Sequence, residues 1–214
     1  MELYIIRHGK TEWNKDKRLQ GSVDIPLAEE GRRLAVISSA AMSTITFDRI
    51  YSSPLSRAYE TACILRGDRK LDIIIDERLR ELSFGDAEGR CFPELAGDDS
   101  CTFRYFFDRP ELYTPVEHGE TLEELCKRAA SFMQEEILPL EQNCERVLIV
   151  AHGAINKALM RFIKQQEIAD FWDGGLQRNC GVIRLKLEQQ SFTILDENLT
   201  FYTKEDVKKI AEAL

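Results

Sequence analysis

Apolar residues in this chain fall into short runs separated by longer amphipathic stretches. The runs Leu3 to Arg7, Arg49 to Ser52, Leu71 to Ile75, Arg146 to Val150, Val182 to Leu187 and Phe192 to Leu195 are rich in β-branched residues. Such runs predict strands, several of them buried on both faces. Helices are expected over Glu29 to Met42, Ser56 to Leu65, Thr121 to Leu138, Ala154 to Ile163 and Lys204 to Leu214. Strands that alternate with helices in this way predict a mostly parallel sheet covered on both faces. Only Glu188 to Ser191 separates the last two strands, which suits an antiparallel hairpin, so the expected sheet is mixed. The resulting fold class is α/β, a three-layer sandwich.

Two of the strands end alike. Leu3-Tyr4-Ile5-Ile6-Arg7-His8-Gly9 and Val147-Leu148-Ile149-Val150-Ala151-His152-Gly153 both pass from an apolar run to His-Gly. If both strands are parallel members of one sheet, both imidazoles emerge at its carboxyl edge, where open α/β folds place their ligands.

The stretch from Arg90 to Gly119 fits the alternation least well. It carries Phe92, Phe103, Tyr105, Phe106, Phe107 and Tyr113. Two readings stand side by side: a lid or specificity insertion over the sheet edge, or a satellite hydrophobic cluster.

With 214 residues the chain is expected to form a single domain spanning 1–214, with the possible insertion at about 90–119. The net charge of −8 argues against nucleic acid as a partner, yet leaves room for a compact arginine cluster around one phosphate. No apolar run approaches the length of a membrane span, so no membrane partner is expected. The amino terminus enters a strand at once, without the pattern of a secretory signal. Cys63, Cys91, Cys101, Cys126, Cys144 and Cys180 are scattered, with no Cys-x-x-Cys pair. They read as free thiols in the reducing cytoplasm rather than as disulfides or zinc ligands.

Several residues carry candidate chemistry. His8 could be a nucleophile, a general base, a metal ligand or a hydrogen-bonded structural residue. Arg7 beside it has a planar fork suited to phosphate oxygens. Gly9 permits close backbone approach, and Lys10, Thr11 and Asn14 follow. Arg57 falls in the first turn of a helix, whose free N–H groups favour anions. Taken alone, an arginine in that position is more often a solvated surface residue. Glu81 and His118 read as ordinary loop residues.

These segments resemble, in order, the histidine phosphatase superfamily, also called phosphoglycerate mutase-like. The matching stretches are Arg7-His8-Gly9-Lys10-Thr11-Glu12-Trp13-Asn14, Gln20 to Leu27, Ser52 to Ala62, Arg80 to Gly89, Gly119-Glu120-Thr121 and Ala151-His152-Gly153. The resemblance implies a phosphoglycerate mutase-like fold and a two-step phosphoryl transfer. His8 would form a phosphohistidine through a neutral ring nitrogen, its other nitrogen donating to a backbone carbonyl. Arg7, Arg57 and His152 would surround the phosphoryl oxygens. Asn14, Gln20 and Gly21 would complete the substrate site. Glu81 would protonate the leaving oxygen and then take a proton from water, a double role that needs a raised carboxyl pKa beside the phosphate. No metal or other cofactor is implied, because arginines and imidazole would supply the positive field.

Within the family, Glu81 is followed by Leu82-Ser83-Phe84-Gly85, as in its phosphatase branch. The mutases carry Arg-His-Tyr-Gly there. The implied enzyme is a histidine acid-type phosphatase, a phosphoric monoester hydrolase. Its substrate would be a small phosphorylated metabolite and its product phosphate. A mutase-type phosphotransferase and a non-catalytic phospho-ligand-binding protein are the alternatives. Three positions depart from the family pattern: Ala28, where a Thr or Ser often caps the next helix, Ala87 and Ala154.

Overall fold

Alternation along the first strand sets the architecture. In β1 (Glu2–Arg7), Leu3 and Ile5 join the apolar cluster on one face of the sheet, and Tyr4 and Ile6 join the cluster on the other. This is the two-residue repeat of a strand. All four side chains are buried, and Leu3, Ile5 and Ile6 are each worth about 1.5–3 kcal/mol of transfer free energy.

The computed structural model describes residues 1–213. After β1 come α1 (Glu12–Lys15), α2 (Glu29–Ala41), β2 (Arg49–Ser52), α3 (Ser56–Arg66), β3 (Ile73–Ile75), α4 (Phe92–Ala96) and α5 (Leu122–Phe132). Then follow β4 (Arg146–Ala151), α6 (Gly153–Lys164), β5 (Gly181–Glu188), β6 (Ser191–Thr200) and α7 (Lys204–Glu212). The six strands form one sheet in the order β3-β2-β4-β1-β5-β6. The first four strands of that order run parallel, and β5 is antiparallel to both of its neighbours. Residues of α5 and α6 pack with one face, residues of α3 with the other, and α2 packs on α7. The result is the mixed three-layer α/β fold that the alternation predicts.

The differences from the expected elements are local. The helix expected over Thr121 to Leu138 is α-helical to Phe132, then widens into a π turn over Met133–Ile137 and closes in a 3₁₀ turn over Leu138–Leu140. Pro139 lies in that closing turn, where a missing N–H and a locked φ do not support a regular helix. The last strand runs on to Thr200, because Asp196, Leu199 and Thr200 pair with β5 across an irregularity in the register. The strand expected from Leu71 begins at Ile73, since the Leu71 N–H turns back to Arg69. Two short helices, α1 and α4, lie outside the expected elements, because each is too short for an apolar period to show. Leu214, at the end of the last expected helix, lies outside the described residues.

The aromatic segment is built into the molecule. Phe103, Phe106 and Tyr113 are buried members of the same cluster as β1, α5 and α6, so this part is not a satellite. Phe92 and Phe107 lie toward its surface. All six cysteines are free thiols. Among the described residues no helix is long and apolar enough to cross a membrane.

Candidate active site

Strand register places the two His-Gly frames side by side. Arg7 of β1 pairs with Ala151 of β4, and the His8 N–H donates to the Ala151 carbonyl at 2.9 Å. The next strand, β2, ends at Ser52, and the Ser53 N–H donates to Val150 at 3.1 Å. His8, His152 and Ser53 therefore leave three adjacent parallel strands at one carboxyl edge. The two imidazole centroids lie 5.0 Å apart. Gly9 makes the exit from β1 possible, since a Cβ there would sit 2.7 Å from the Gly31 carbonyl oxygen of α2.

His8 Nδ1 lies 2.7 Å from the carbonyl oxygen of Gly9. A carbonyl only accepts, so Nδ1 carries the proton and Nε2 keeps its lone pair. Burial pushes the His8 imidazole well below its ordinary pKa, and the charges of Arg57 and Arg7 push it further the same way. His8 is thus a neutral ring with the unprotonated nitrogen that attack on phosphorus needs.

His152 has the opposite tautomer. Its Nδ1 accepts from Arg57 Nε at 3.2 Å, and its Nε2 donates to Ser53 Oγ at 2.7 Å. Burial and Arg57 also hold this imidazole well below its ordinary pKa. The expectation that imidazole shares in the positive field is therefore corrected. Desolvation keeps both rings neutral, and the arginines carry the charge.

Arg57 is wholly buried. Its remaining contacts are to the carbonyls of Val23 at 2.9 Å and Gly21 at 2.7 Å. Burial lowers its pKa to about 10, so it stays a cation at neutral pH. The first turn of α3 is less open than its sequence suggests, because Asp24 accepts from the N–H and hydroxyl of Ser56. Gly21 contributes through its carbonyl. It has no room for a side chain, since a Cβ would meet the Leu82 oxygen at 2.3 Å.

Arg7 donates to the Gln177 carbonyl at 2.6 Å, while its Nε is buried without a partner. Burial lowers its pKa. Asn14 uses Oδ1 to accept from the Thr11 N–H and from Asn179 Nδ2, each at 3.2 Å, which leaves its own amide N–H groups for a ligand. Gln20 Oε1 accepts from Thr11 Oγ1 at 2.6 Å, and its Nε2 is buried and unpartnered.

Glu81 lies at the amino terminus of α6. Its carboxylate accepts from the N–H groups of Leu82 at 3.0 Å, Ala154 at 3.0 Å and Ile155 at 3.1 Å. The positive end of the helix dipole faces it. Ala154 replaces a larger or more flexible family residue without touching this contact, which is made by its backbone.

A cavity of about 510 Å³ opens over these groups. Arg7, His8, Asn14, Gln20 and Glu81 line it, whereas Arg57, His152 and Gly21 lie behind them. Phe92, Phe106 and Phe107 of the aromatic segment form part of its wall, together with Phe84, Trp172 and Leu176. Ring centroids are 5.1 Å apart for Phe106–Trp172 and 4.9 Å for Phe107–Trp172. Lys17 and Arg18 stand at the rim. His118 is an exposed loop residue bonded to Asp86, outside this wall. Among the described residues no group of three or more His, Cys, Asp or Glu side chains is placed to hold a metal ion.

Ser53 lies in the stretch Ser52 to Ala62 that matches the family, but nothing in the sequence gives it a role. Trp172, Gln177 and Asn179 take part in the site without any signal there; each arrives from a loop far along the chain, and none sits in a spacing that carries chemistry.

Residues 3–200 match the histidine phosphatase superfamily (branch 1). The chain belongs to that superfamily and is an enzyme of it. Phosphoserine phosphatase 1 of Hydrogenobacter thermophilus is 28% identical over 205 residues, covering 96% of this chain and 95% of that protein. Among solved structures, YhfR of Bacillus stearothermophilus superposes with a TM-score of 0.84 at 33% identity, over 94% of this chain and 98% of the other. The α-ribazole phosphatase of Shigella flexneri gives 0.82 at 26% identity, over 93% and 96%. The superfamily model spans every element from β1 to the end of β6, and with it all the residues assembled above.

Proposed function

We propose that the chain is a phosphomonoesterase that hydrolyses a small phosphorylated metabolite through a phosphohistidine on His8. The observation that carries this reading is the His8 tautomer. A neutral imidazole with Nδ1 tied to Gly9 presents Nε2 to a cavity that also holds Arg7 and Glu81.

In the first step Nε2 attacks phosphorus and the bond from phosphorus to the ester oxygen breaks. The Glu81 carboxyl gives its proton to the leaving oxygen. In the second step water attacks phosphorus, its proton goes to Glu81, the P–N bond breaks and phosphate departs. Arg7 binds the phosphoryl oxygens directly, with Asn14 and Gln20 as neutral donors, and Arg57 supplies charge from behind. His152 and Gly21 act in this reading by orienting Arg57. The chain's own arginines carry the charge that a histidine acid-type phosphatase needs.

The substrate is a small phosphate ester with an apolar or ring-containing body. Phe92, Phe106, Phe107 and Trp172 support this, because they give one end of the cavity an aromatic wall. The segment at 90–119 would then be the specificity element of one domain spanning the chain. Phosphoserine and α-ribazole phosphate, named for the relatives, are the first compounds to compare. The six free thiols fit a reducing compartment such as the cytoplasm.

The test is p-nitrophenyl phosphate hydrolysis without added metal, followed by acid quench during turnover. Hydrolysis inhibited by vanadate and acid-labile phosphate on His8 support the reading. Full activity of His8→Ala would overturn it. Interconversion of 3- and 2-phosphoglycerate without net phosphate release would move the enzyme to the mutase class.

A further inference from the structure

Glu81 is held from two sides, and only one of them belongs to the cavity. Its carboxylate rests on α6, while its backbone rests on Arg128 of α5. The Arg128 guanidinium uses all of its N–H groups. Nε donates to Glu120 Oε1 at 2.6 Å, and one terminal nitrogen donates to the carbonyls of Arg78 and Arg80, both at 2.6 Å. The other terminal nitrogen donates to the Glu81 carbonyl at 3.1 Å and to Glu120 Oε2 at 2.8 Å. Five donors and five acceptors match the full inventory of a guanidinium.

Glu120 closes the ring from the far side of the loop. Its N–H donates to the Ser83 carbonyl at 2.8 Å, and its carboxylate accepts from the Ser83 N–H at 3.3 Å. The carbonyls of residues 78, 80 and 81 and both backbone groups of residue 83 are thereby tied to one ion pair. The two side chains are only 20% and 18% exposed, and neither residue lines the cavity. The loop runs between a 3₁₀ turn at Glu77–Leu79 and the bridge from Phe84 to Gly119.

We propose that Arg128 and Glu120 are positioning residues that set Glu81 for proton transfer to the leaving oxygen. The inference rests on the reading of Glu81 as the acid. A lysine at 128 has one nitrogen and three protons, so it cannot span the three carbonyls and the carboxylate together. Loosening the loop leaves His8, Arg7 and the phosphate pocket in place but lets the acid drift from the ester oxygen.

The readout is the dependence on leaving group. A 2,4-dinitrophenolate leaves without a proton, whereas phenolate and alkoxide need one. The values of kcat/KM, which report the steps through leaving-group departure, are compared for 2,4-dinitrophenyl phosphate and phenyl phosphate in wild type, Glu81→Gln, Arg128→Lys and Glu120→Gln. Arg128→Lys is expected to lower phenyl phosphate turnover at least about tenfold more than dinitrophenyl phosphate turnover, a part of the roughly 10²–10⁴-fold that general acid catalysis contributes. Glu120→Gln, which keeps one acceptor oxygen and stands in should Arg128→Lys not fold, is expected to give the same selectivity to a smaller degree. Selective loss in Glu81→Gln with equal losses on both substrates in the two clamp variants would overturn the clamp alone. Equal losses in Glu81→Gln would overturn the acid assignment and the clamp with it.

Discussion

Arg57 Nε donates to His152 Nδ1 at 3.2 Å, and this one bond fixes the state of both side chains. The ring must be the Nε2–H tautomer, and the charge must stay on the guanidinium. Arg57 also binds the Gly21 and Val23 carbonyls, so it joins β4, α3 and the loop after α1 behind the nucleophile. A lysine cannot reach all three acceptors. Arg57→Lys is expected to lower kcat for p-nitrophenyl phosphate by about 10²–10³-fold, the cost of losing one preorganised charge partner. Steady-state kinetics on protein shown folded by circular dichroism checks this, and a loss under tenfold would contradict it.

Stability should follow the two buried imidazoles. In the unfolded chain each titrates near about 6.5. In the fold each titrates well below that, because burial and Arg57 disfavour the charged ring. Below about pH 6.5 the unfolded chain binds more protons, so stability is complete above that pH and falls as the pH drops toward the folded values. Each ring contributes a slope of at most about 1.4 kcal/mol per pH unit. Thermal melts between pH 7 and 5.5 should show Tm falling with acidification, and His152→Gln should flatten the trend. A flat wild-type profile would count against the neutral rings.

The aromatic wall predicts a split between substrates. Phe107 lines the cavity and is partly exposed, so its removal leaves the core intact. Phe107→Ala is expected to raise KM for naphthyl phosphate by about tenfold, roughly 1.4 kcal/mol of binding. It should leave kcat and the kinetics of glycerol phosphate near wild type. Equal changes for both substrates would remove this residue from substrate recognition.

Helix α2 lacks a side-chain cap. Ala28 occupies the N-cap with extended backbone, φ −73° and ψ 160°, and no side-chain bond to the first turn. Ala28→Ser should stabilise the protein by about 1 kcal/mol, read as a higher urea midpoint at unchanged slope. No gain would mean that the buried position leaves the hydroxyl no room to reach the first turn.

Arg128→Lys should cost phenyl phosphate more than 2,4-dinitrophenyl phosphate, read as the ratio of their kcat/KM values. Glu81 is tied through Arg128 to α5, a helix that contributes nothing to the cavity wall.

Local chemistry determined much of this protein directly from its sequence. Apolar runs of strand length fixed six strands, and the His-Gly endings after β1 and β4 marked the edge where they meet. Period and turn residues act over a few positions, so they can be read without knowing the rest of the fold. The pairing of Arg7 with Ala151, the tautomers of the two histidines and the neutrality of their rings came only from tertiary structure. Tautomers depend on which acceptor the fold brings within reach, and neutrality depends on how far burial removes water. The same holds for Trp172, Asn179 and Arg128, whose roles follow from contacts between segments distant in the chain. The π turn after Phe132 and the polar half of β6 were likewise decided by partners, because their own sequences specify neither.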